Sequence, residues 1–180
     1  MRGIEKVTGA TRFQPPEDGR APGVAWVADV LVRGYAKAEA SLGGEVCQAV
    51  PVDGKGRHRL TLGFAIESET QRTGEHSESG GGHYWEYDLG RNALALSRQA
   101  KLFFDCASVR LAGLGRPVPV MAVVSVSGGS DGDEPELREA NLAVIHSASL
   151  AMARELGCTG GGGLPGRLVV RQRTARTVAP

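Results

Sequence analysis

The segment from residue 118 to residue 156 constrains the fold more than any other part of the chain. Apolar residues occupy both faces of a strand over 118–126, a pattern typical of a central strand covered on both sides. Small residues at 127–130 predict a turn. Pro135 and its acidic neighbours then predict a helix start, because the fixed φ of proline and negative charge suit the free N–H groups of a first turn. Gly157 predicts the end of this helix.

The predicted helix over 135–156 has one broad apolar face at about 100° per residue. The members of this face are Leu137, Ala140, Asn141, Val144, Ile145, Ala148, Ala151, Met152 and Leu156. A buried amide needs hydrogen-bond partners, so we favour a bond from Asn141 to a strand or loop carbonyl over a ligand-facing role. His146 falls opposite this face, beside Glu139, and is interpreted as a solvated surface histidine.

The composition excludes several classes of protein. Twenty-six glycines and an aromatic content of 5% disfavour a helical bundle. The formal net charge of +1 gives no overall attraction to nucleic acid or to an anionic membrane, so we expect neither as a partner. No segment reaches the roughly 18 consecutive apolar residues of a membrane span, and the N-terminus lacks the apolar run of a secretory signal.

The three cysteines, Cys47, Cys106 and Cys158, are odd in number, lie far apart and form no CxxC pair. This pattern predicts no disulfide framework and therefore a reducing, cytoplasmic location. Arginine outnumbers lysine 17 to 4, which indicates a bacterial genome rich in GC.

The first third of the chain predicts an arm, a helix and a hairpin. Residues 1–22 lack periodicity and contain helix breakers, which predicts a mobile or surface-draped arm. A 3.6-residue period predicts a helix over 24–42, ended by Gly43 and Gly44, with Trp26 on its polar side. Strands over 46–52 and 57–67, joined by the Asp-Gly turn at 53–56, predict an antiparallel hairpin. In the second strand Leu60, Leu62, Phe64 and Ile66 alternate with Arg59, Thr61, Gly63 and Ala65, so one sheet face is expected to be thinly covered.

The middle and the end of the chain are less regular. A polar loop over 68–82 is long enough to be functional or disordered, and an aromatic strand follows over 83–89. Asn92 predicts a helix from Ala93; either this helix runs to Leu111, or it ends near Phe104 before a strand over 106–111, which we favour. We expect a single α+β domain over 23–158, an antiparallel sheet flanked by helices. A glycine-rich linker at 159–163, an edge strand at 167–171 and a loose basic tail to residue 180 complete the chain.

This order of elements resembles the GAF-like family of small-molecule sensor domains, a profilin-like arrangement. More loosely it resembles the effector domain of IclR-type regulators and the GlcG-type haem-binding proteins. The resemblance rests on the hairpin over 49–60 after an amphipathic helix, and on the strand and glycine turn over 123–129 before an acidic helix start. It implies helices on one side of a sheet and a ligand pocket on the other, walled by residues 83–87 and 92–104. It further implies a sensor that acts through a protein partner or a homodimer, since no helix-turn-helix is recognised. The GlcG-like variant implies His83 as a haem ligand.

On these grounds the sequence predicts a binding site for a small, partly apolar molecule. The predicted ligand-binding residues are His83, Trp85, Tyr87, Asn92, Phe103, Phe104 and Asn141. The second candidate function is a small cytoplasmic enzyme of bacterial specialised metabolism that uses His83, Glu86 or Asp105 as an acid or base.

Three further chemical hypotheses have weaker support. Cys106 beside Asp105, with His76 or His83 as the base, has the residue types of a thiol nucleophile but no flanking signature, and a buried small hydrophobe is the simpler interpretation. A divalent metal has enough donors between residues 75 and 86, but no His-x-x-x-His spacing. The donors are Glu75, His76, Glu78, His83 and Glu86. The glycine runs at 80–82 and 160–163 lack the phosphate-loop pattern and are interpreted as linkers.

Overall fold

The computed structural model describes residues 2–14, 23–37, 43–52, 58–67, 84–111, 116–127 and 134–173. The helices in these ranges are α1 (Arg2–Thr8), α2 (Val24–Ala36) and α3 (Pro135–Leu156). The strands are β1 (Gly43–Ala49), β2 (Arg59–Ile66), β3 (Trp85–Tyr87), β4 (Asn92–Leu96), β5 (Gln99–Cys106) and β6 (Val118–Ser127). Neighbouring strands pair antiparallel in the order β1-β2-β6-β5-β4-β3, which confirms the predicted α+β class.

Strands β2, β6 and β5 form the centre of the sheet. β6 pairs with β2 from Arg59–Ser127 to Ile66–Val120, so the two predicted apolar strands do share one sheet. Burial alternates along β6, where Met121 and Val123 are only half-buried. The expectation that this strand is covered on both faces is therefore wrong. In the described part of the chain, α2 and α3 pack against the sheet on one face only.

Helix α3 has the predicted bounds, and Gly157 ends it with a φ of 70°. Its buried surface is wider than one stripe, because α1 packs along its flank and the chain after α3 folds back over it. The interpretation of His146 as a solvated residue is wrong for that reason: the side chain is 3% exposed, and Nε2 lies 2.8 Å from the carbonyl oxygen of Pro165. None of the helices in the described ranges combines the length and apolar content needed to cross a bilayer.

The N-terminal residues differ from the expected arm. Residues 2–8 form helix α1, with Val7 buried, and a helix this short shows no 3.6-residue period in sequence. Helix α2 ends at Ala36, and Gly43 and Gly44 belong to β1 instead of acting as its stop. Gly44 meets α2 closely, since a Cβ there would lie 3.2 Å from a methyl group of Val27. The predicted turn at 53–56 lies outside the described residues, but β1 and β2 pair as expected.

The helix predicted from Ala93 is wrong. Residues 92–106 form the β4–β5 hairpin, whose register runs from Asn92–Phe103 to Leu96–Gln99. Both sheet faces are covered here, since Ala93, Leu94 and Ala95 are all buried. An apolar run buried on two faces loses its period of two, and its spacing then matches a helix by coincidence. Both interpretations of residues 106–111 fail as well, because 107–111 is a non-repetitive turn.

The prediction that the cysteines form no disulfide is also wrong. Cys106 at the end of β5 is bonded to Cys158, just after α3, across a sequence separation of 52 residues. Sequence distance does not restrict a disulfide, because strands and helices bring remote residues together. Cys47 is the free cysteine.

The C-terminal segment packs onto the fold. Thr159–Gly163 is a tight turn in which Gly160 to Gly163 all have φ between 60° and 71°. A Cβ on Gly162 would lie 2.7 Å from the Phe104 ring, so this turn is part of the core and is not a linker. Residues 167–171 do not form the expected edge strand; the pairing with the sheet is a single bridge between Gln172 and Tyr87. Two backbone bonds of 2.8 Å flank it, Asp88 N–H to the Arg171 carbonyl and Arg173 N–H to the Glu86 carbonyl.

Candidate binding site

The sheet face opposite α2 and α3, called here the helix-free face, carries three parallel rows of side chains. The register of β2, β6 and β5 aligns each row across the strands. The polar row is Thr61, Ser125 and Gln99. The central row begins on β1 and consists of Glu45, Gly63, Val123 and Lys101. The apolar row is Ala65, Met121 and Phe103.

A shallow groove of about 260 Å³ lies on the helix-free face over β1, β2 and β6. Its lining residues are Gly44, Glu45, Thr61, Leu62, Gly63, Phe64, Ala65 and Val123. Gly63 has no side chain on this face, which leaves backbone as the floor of the groove. A Cβ on Gly63 would lie 3.2 Å from the carbonyl oxygen of Gly44. The groove therefore depends on glycine at position 63.

The polar row ends in a hydrogen-bonded chain. Gln99 Nε2 donates to Ser125 Oγ at 3.1 Å, and the Tyr84 hydroxyl donates to Gln99 Oε1. Burial raises the pKa of the Tyr84 phenol, which keeps the hydroxyl protonated and able to donate. The ammonium of Lys101 lies 5.3 Å from the centre of the Tyr84 ring, within range of a cation–π interaction. Tyr84 thus holds both Gln99 and Lys101 in place.

Arg91 organises the far end of the apolar row. Its guanidinium pairs with the buried carboxylate of Glu67 and, at 3.2 Å, with Asp105, and it stacks 5.7 Å from the centre of the Phe103 ring. Asn92, directly opposite Phe103, has a buried Oδ1 with no hydrogen-bond partner among the residues that the structure describes. The ion pairs hold both carboxylates as acceptors of Arg91, which favours a structural role for this end of the face.

The structure does not bring the predicted ligand-binding residues together. Asn92 and Phe103 lie on the helix-free face, and His83 lies outside the described residues. The others lie on the helix side of the sheet or on α3: Trp85, Tyr87, Phe104 and Asn141.

Two of the helix-side aromatic residues surround a buried arginine. Arg138 of α3 is 6% exposed, and its Nε donates to the Tyr87 hydroxyl at 3.1 Å. Its guanidinium lies 4.7 Å from the centre of the Trp85 ring. Asn141 Nδ2 donates to the carbonyls of Leu96 and Ser97 at 3.1 and 3.0 Å, which confirms the carbonyl-bonded interpretation of this residue. These contacts hold α3 against the sheet.

The geometry does not support the hypotheses of a thiol nucleophile, a metal site or a pair of acid and base. Cys106 is in a disulfide and is not a thiol nucleophile. Glu75, His76 and Glu78 lie outside the described residues, within which no three His, Cys, Asp or Glu side chains are grouped to hold a metal ion. Glu86 and Asp105 are two strands and four residues apart, which is about 16 Å at ordinary sheet spacings. They cannot act on one bond together.

Sequence reasoning missed the residues that form the groove. Small residues alternating with Leu60 to Ile66 were a usable signal, and they correctly indicated a thinly covered face. Lys101 was missed because it fell inside the wrongly predicted helix, and Glu45 because β1 begins three residues earlier than expected.

Comparison of the chain with known protein families, with curated proteins and with solved structures found no match.

Proposed function

We propose that the protein binds a small, partly apolar molecule on its helix-free face and acts as a sensor or regulatory domain. The observation that carries this proposal is the groove over Gly63, a concave surface with backbone at its base. Polar groups on one side and apolar groups on the other are what a site for such a molecule requires.

The sheet face on which the groove lies agrees with the resemblance to GAF-like domains, which implies a pocket opposite the helices. The walls differ, because no described residue of 83–87 or 92–104 lines this groove. Output from a sensor would then pass through a protein partner or a second copy of the chain. Trp26, 53% exposed on α2, is a surface residue suited to such a contact. A cytoplasmic location stays a prediction, but its cysteine argument is lost with the Cys106–Cys158 disulfide.

The experiment is ligand capture from a metabolite extract followed by native mass spectrometry. We expect the wild-type protein to retain a small-molecule adduct and Gly63→Val to lose it, because the added side chain fills the groove floor. Gly166→Val is the matched control, since a Cβ at Gly166 meets nothing within 4 Å in the described part of the chain and the residue is exposed. Circular dichroism establishes that both variants are folded.

Two results would contradict the proposal. One is an adduct of equal abundance in Gly63→Val and Gly166→Val, which would place binding elsewhere. The other is the absence of any adduct on the wild-type protein across extracts. Turnover of a captured molecule by the wild-type protein would instead favour the enzyme hypothesis.

A further inference from the structure

The charges of the central row limit the class of molecule that fits the groove. Glu45 is exposed and lines the groove at the β1 end of the row, and the half-buried Lys101 follows Val123 at the β5 end, just beyond the lining residues. Between them lie Gly63 and Val123, which carry no charge and no polar side-chain atom. The row therefore presents a carboxylate, an apolar centre and an ammonium in one line across the strands.

The length of this line follows from the strand spacing. The Cα atoms of Glu45 and Lys101 are separated by three neighbouring-strand steps of about 4.8 Å each, or about 14 Å in total, and both side chains project from the same sheet face. A complementary ligand has its ammonium at the Glu45 end, its carboxylate at the Lys101 end, and an uncharged centre.

We propose that the groove binds a short peptide with free termini, about three residues long and apolar at its middle residue. An extended tripeptide spans about 10 Å at 3.3 Å per residue. Two charge-assisted hydrogen bonds of about 2.8 Å bring this to about 15–16 Å, close to the available length. A dipeptide reaches about 12 Å by the same arithmetic, and a pentapeptide about 22 Å.

The rows on either side suit the same ligand. Thr61 and Ser125 carry hydroxyl groups along one side of the central row. Thr61 Oγ1 donates to the Ser125 carbonyl at 3.5 Å and so can accept from a peptide N–H, while Ser125 Oγ accepts from Gln99 and so can donate to a peptide carbonyl. Ala65 and Met121 form the apolar side, against which a leucine side chain at the middle residue can pack. Lys101 is positioned by the Tyr84 ring 5.3 Å away, so part of the cost of ordering its side chain is met before binding.

This inference rests on the proposed function, and its test uses defined peptides. The probe is Ala-Leu-Ala with free termini, titrated into the 15N-labelled full chain and followed by amide chemical shifts. We expect the largest shifts at Gly63, Val123 and neighbouring positions. We expect Ala-Leu-Ala to bind more tightly than Ala-Leu or Ala-Ala-Leu-Ala-Ala.

Charge variants and blocked peptides together test the orientation of the ligand. We expect Glu45→Gln and Lys101→Met each to weaken binding about threefold, as loss of an exposed ion pair does. N-acetylation of the peptide should weaken binding to the wild-type protein by a similar factor and leave binding to Glu45→Gln unchanged, because the partner charge is already absent. C-terminal amidation should behave in the same way towards Lys101→Met.

Glu86→Gln is the matched control. It removes the same charge as Glu45→Gln but lies two strands beyond Lys101, with Leu94 between them. Equal weakening by Glu45→Gln and Glu86→Gln would overturn the ion-pair assignment, and so would blocked peptides that bind as well as free ones. If no peptide binds while the extract adduct is still lost in Gly63→Val, the ligand class is wrong and the proposed function stands. If peptides bind without shifts on the helix-free face, both fail.

Discussion

At some positions only glycine fits without a clash, and Gly162 in the turn over 159–163 is one of them. Its φ is 70°, and a Cβ there would lie 2.7 Å from Cδ2 of the buried Phe104 ring. We expect Gly162→Ala to lower the free energy of unfolding by about 2–4 kcal/mol, since left-handed backbone costs about 1–2 kcal/mol and overpacking adds a similar amount. Urea unfolding measures the change.

Substitutions at Gly160 and Gly163 separate the cost of left-handed backbone from the cost of overpacking. Both glycines have positive φ, 60° and 71°, but a Cβ on either meets no described residue within 4 Å. We expect Gly160→Ala and Gly163→Ala to lose only the backbone part, about 1–2 kcal/mol each. Equal losses at all three positions would show that the Phe104 contact relaxes freely. Sequence alone could not distinguish these glycines, because a run of four looks the same at each position.

At the scale of elements, the sequence predicted those with a clear local pattern. β2 alternates, β6 is an apolar run of strand length, and α3 has a proline start and a glycine end, so all three were found. The β4–β5 hairpin was missed because both of its faces are covered, which removes the alternation. The groove was missed because it depends on the register of three strands, β1, β2 and β6, which no single segment of sequence reveals.

The contact between the β4–β5 hairpin and α3 can be tested through Asn141. Its amide donates to two carbonyls of the hairpin turn, at Leu96 and Ser97. Asn141→Leu keeps the volume but removes both donors. We expect it to lower the free energy of unfolding by about 2–4 kcal/mol, because buried carbonyls without partners cost about 1–3 kcal/mol each. Ser147→Ala, on the exposed side of α3, should stay within about 0.5 kcal/mol of wild type. A loss below 1 kcal/mol at Asn141 would mean that water replaces the amide.

At the scale of the whole molecule, one disulfide joins the sheet to the chain that follows α3. Cys106 ends β5, and Cys158 begins the glycine turn that packs on Phe104. The bond restricts a loop of about fifty residues in the unfolded chain, and such a restriction contributes about 2–4 kcal/mol. We expect reduction to lower the Tm by roughly 5–15 °C, since 1 kcal/mol shifts the Tm of a chain this long by about 2–4 °C.

Cys47 supplies the internal control for that measurement. Burial, with Glu45 nearby, raises the pKa of its thiol, so the protonated form is favoured in the folded state. Alkylation of native protein at pH 8 should therefore be slow, and should accelerate as the pH rises through the folded pKa. In denaturant without reductant we expect one alkylated cysteine, and three after reduction. A Cys106→Ala, Cys158→Ala double variant should have the Tm of the reduced wild-type protein. Cys47→Ala still has the disulfide, so without reductant it should have the Tm of the oxidised wild-type protein. If the reduced and oxidised proteins unfold at the same temperature, the disulfide adds no stability beyond the other contacts of the turn, such as Gly162 on Phe104 and the hydrogen bond from Thr159 N–H to the Ala107 carbonyl.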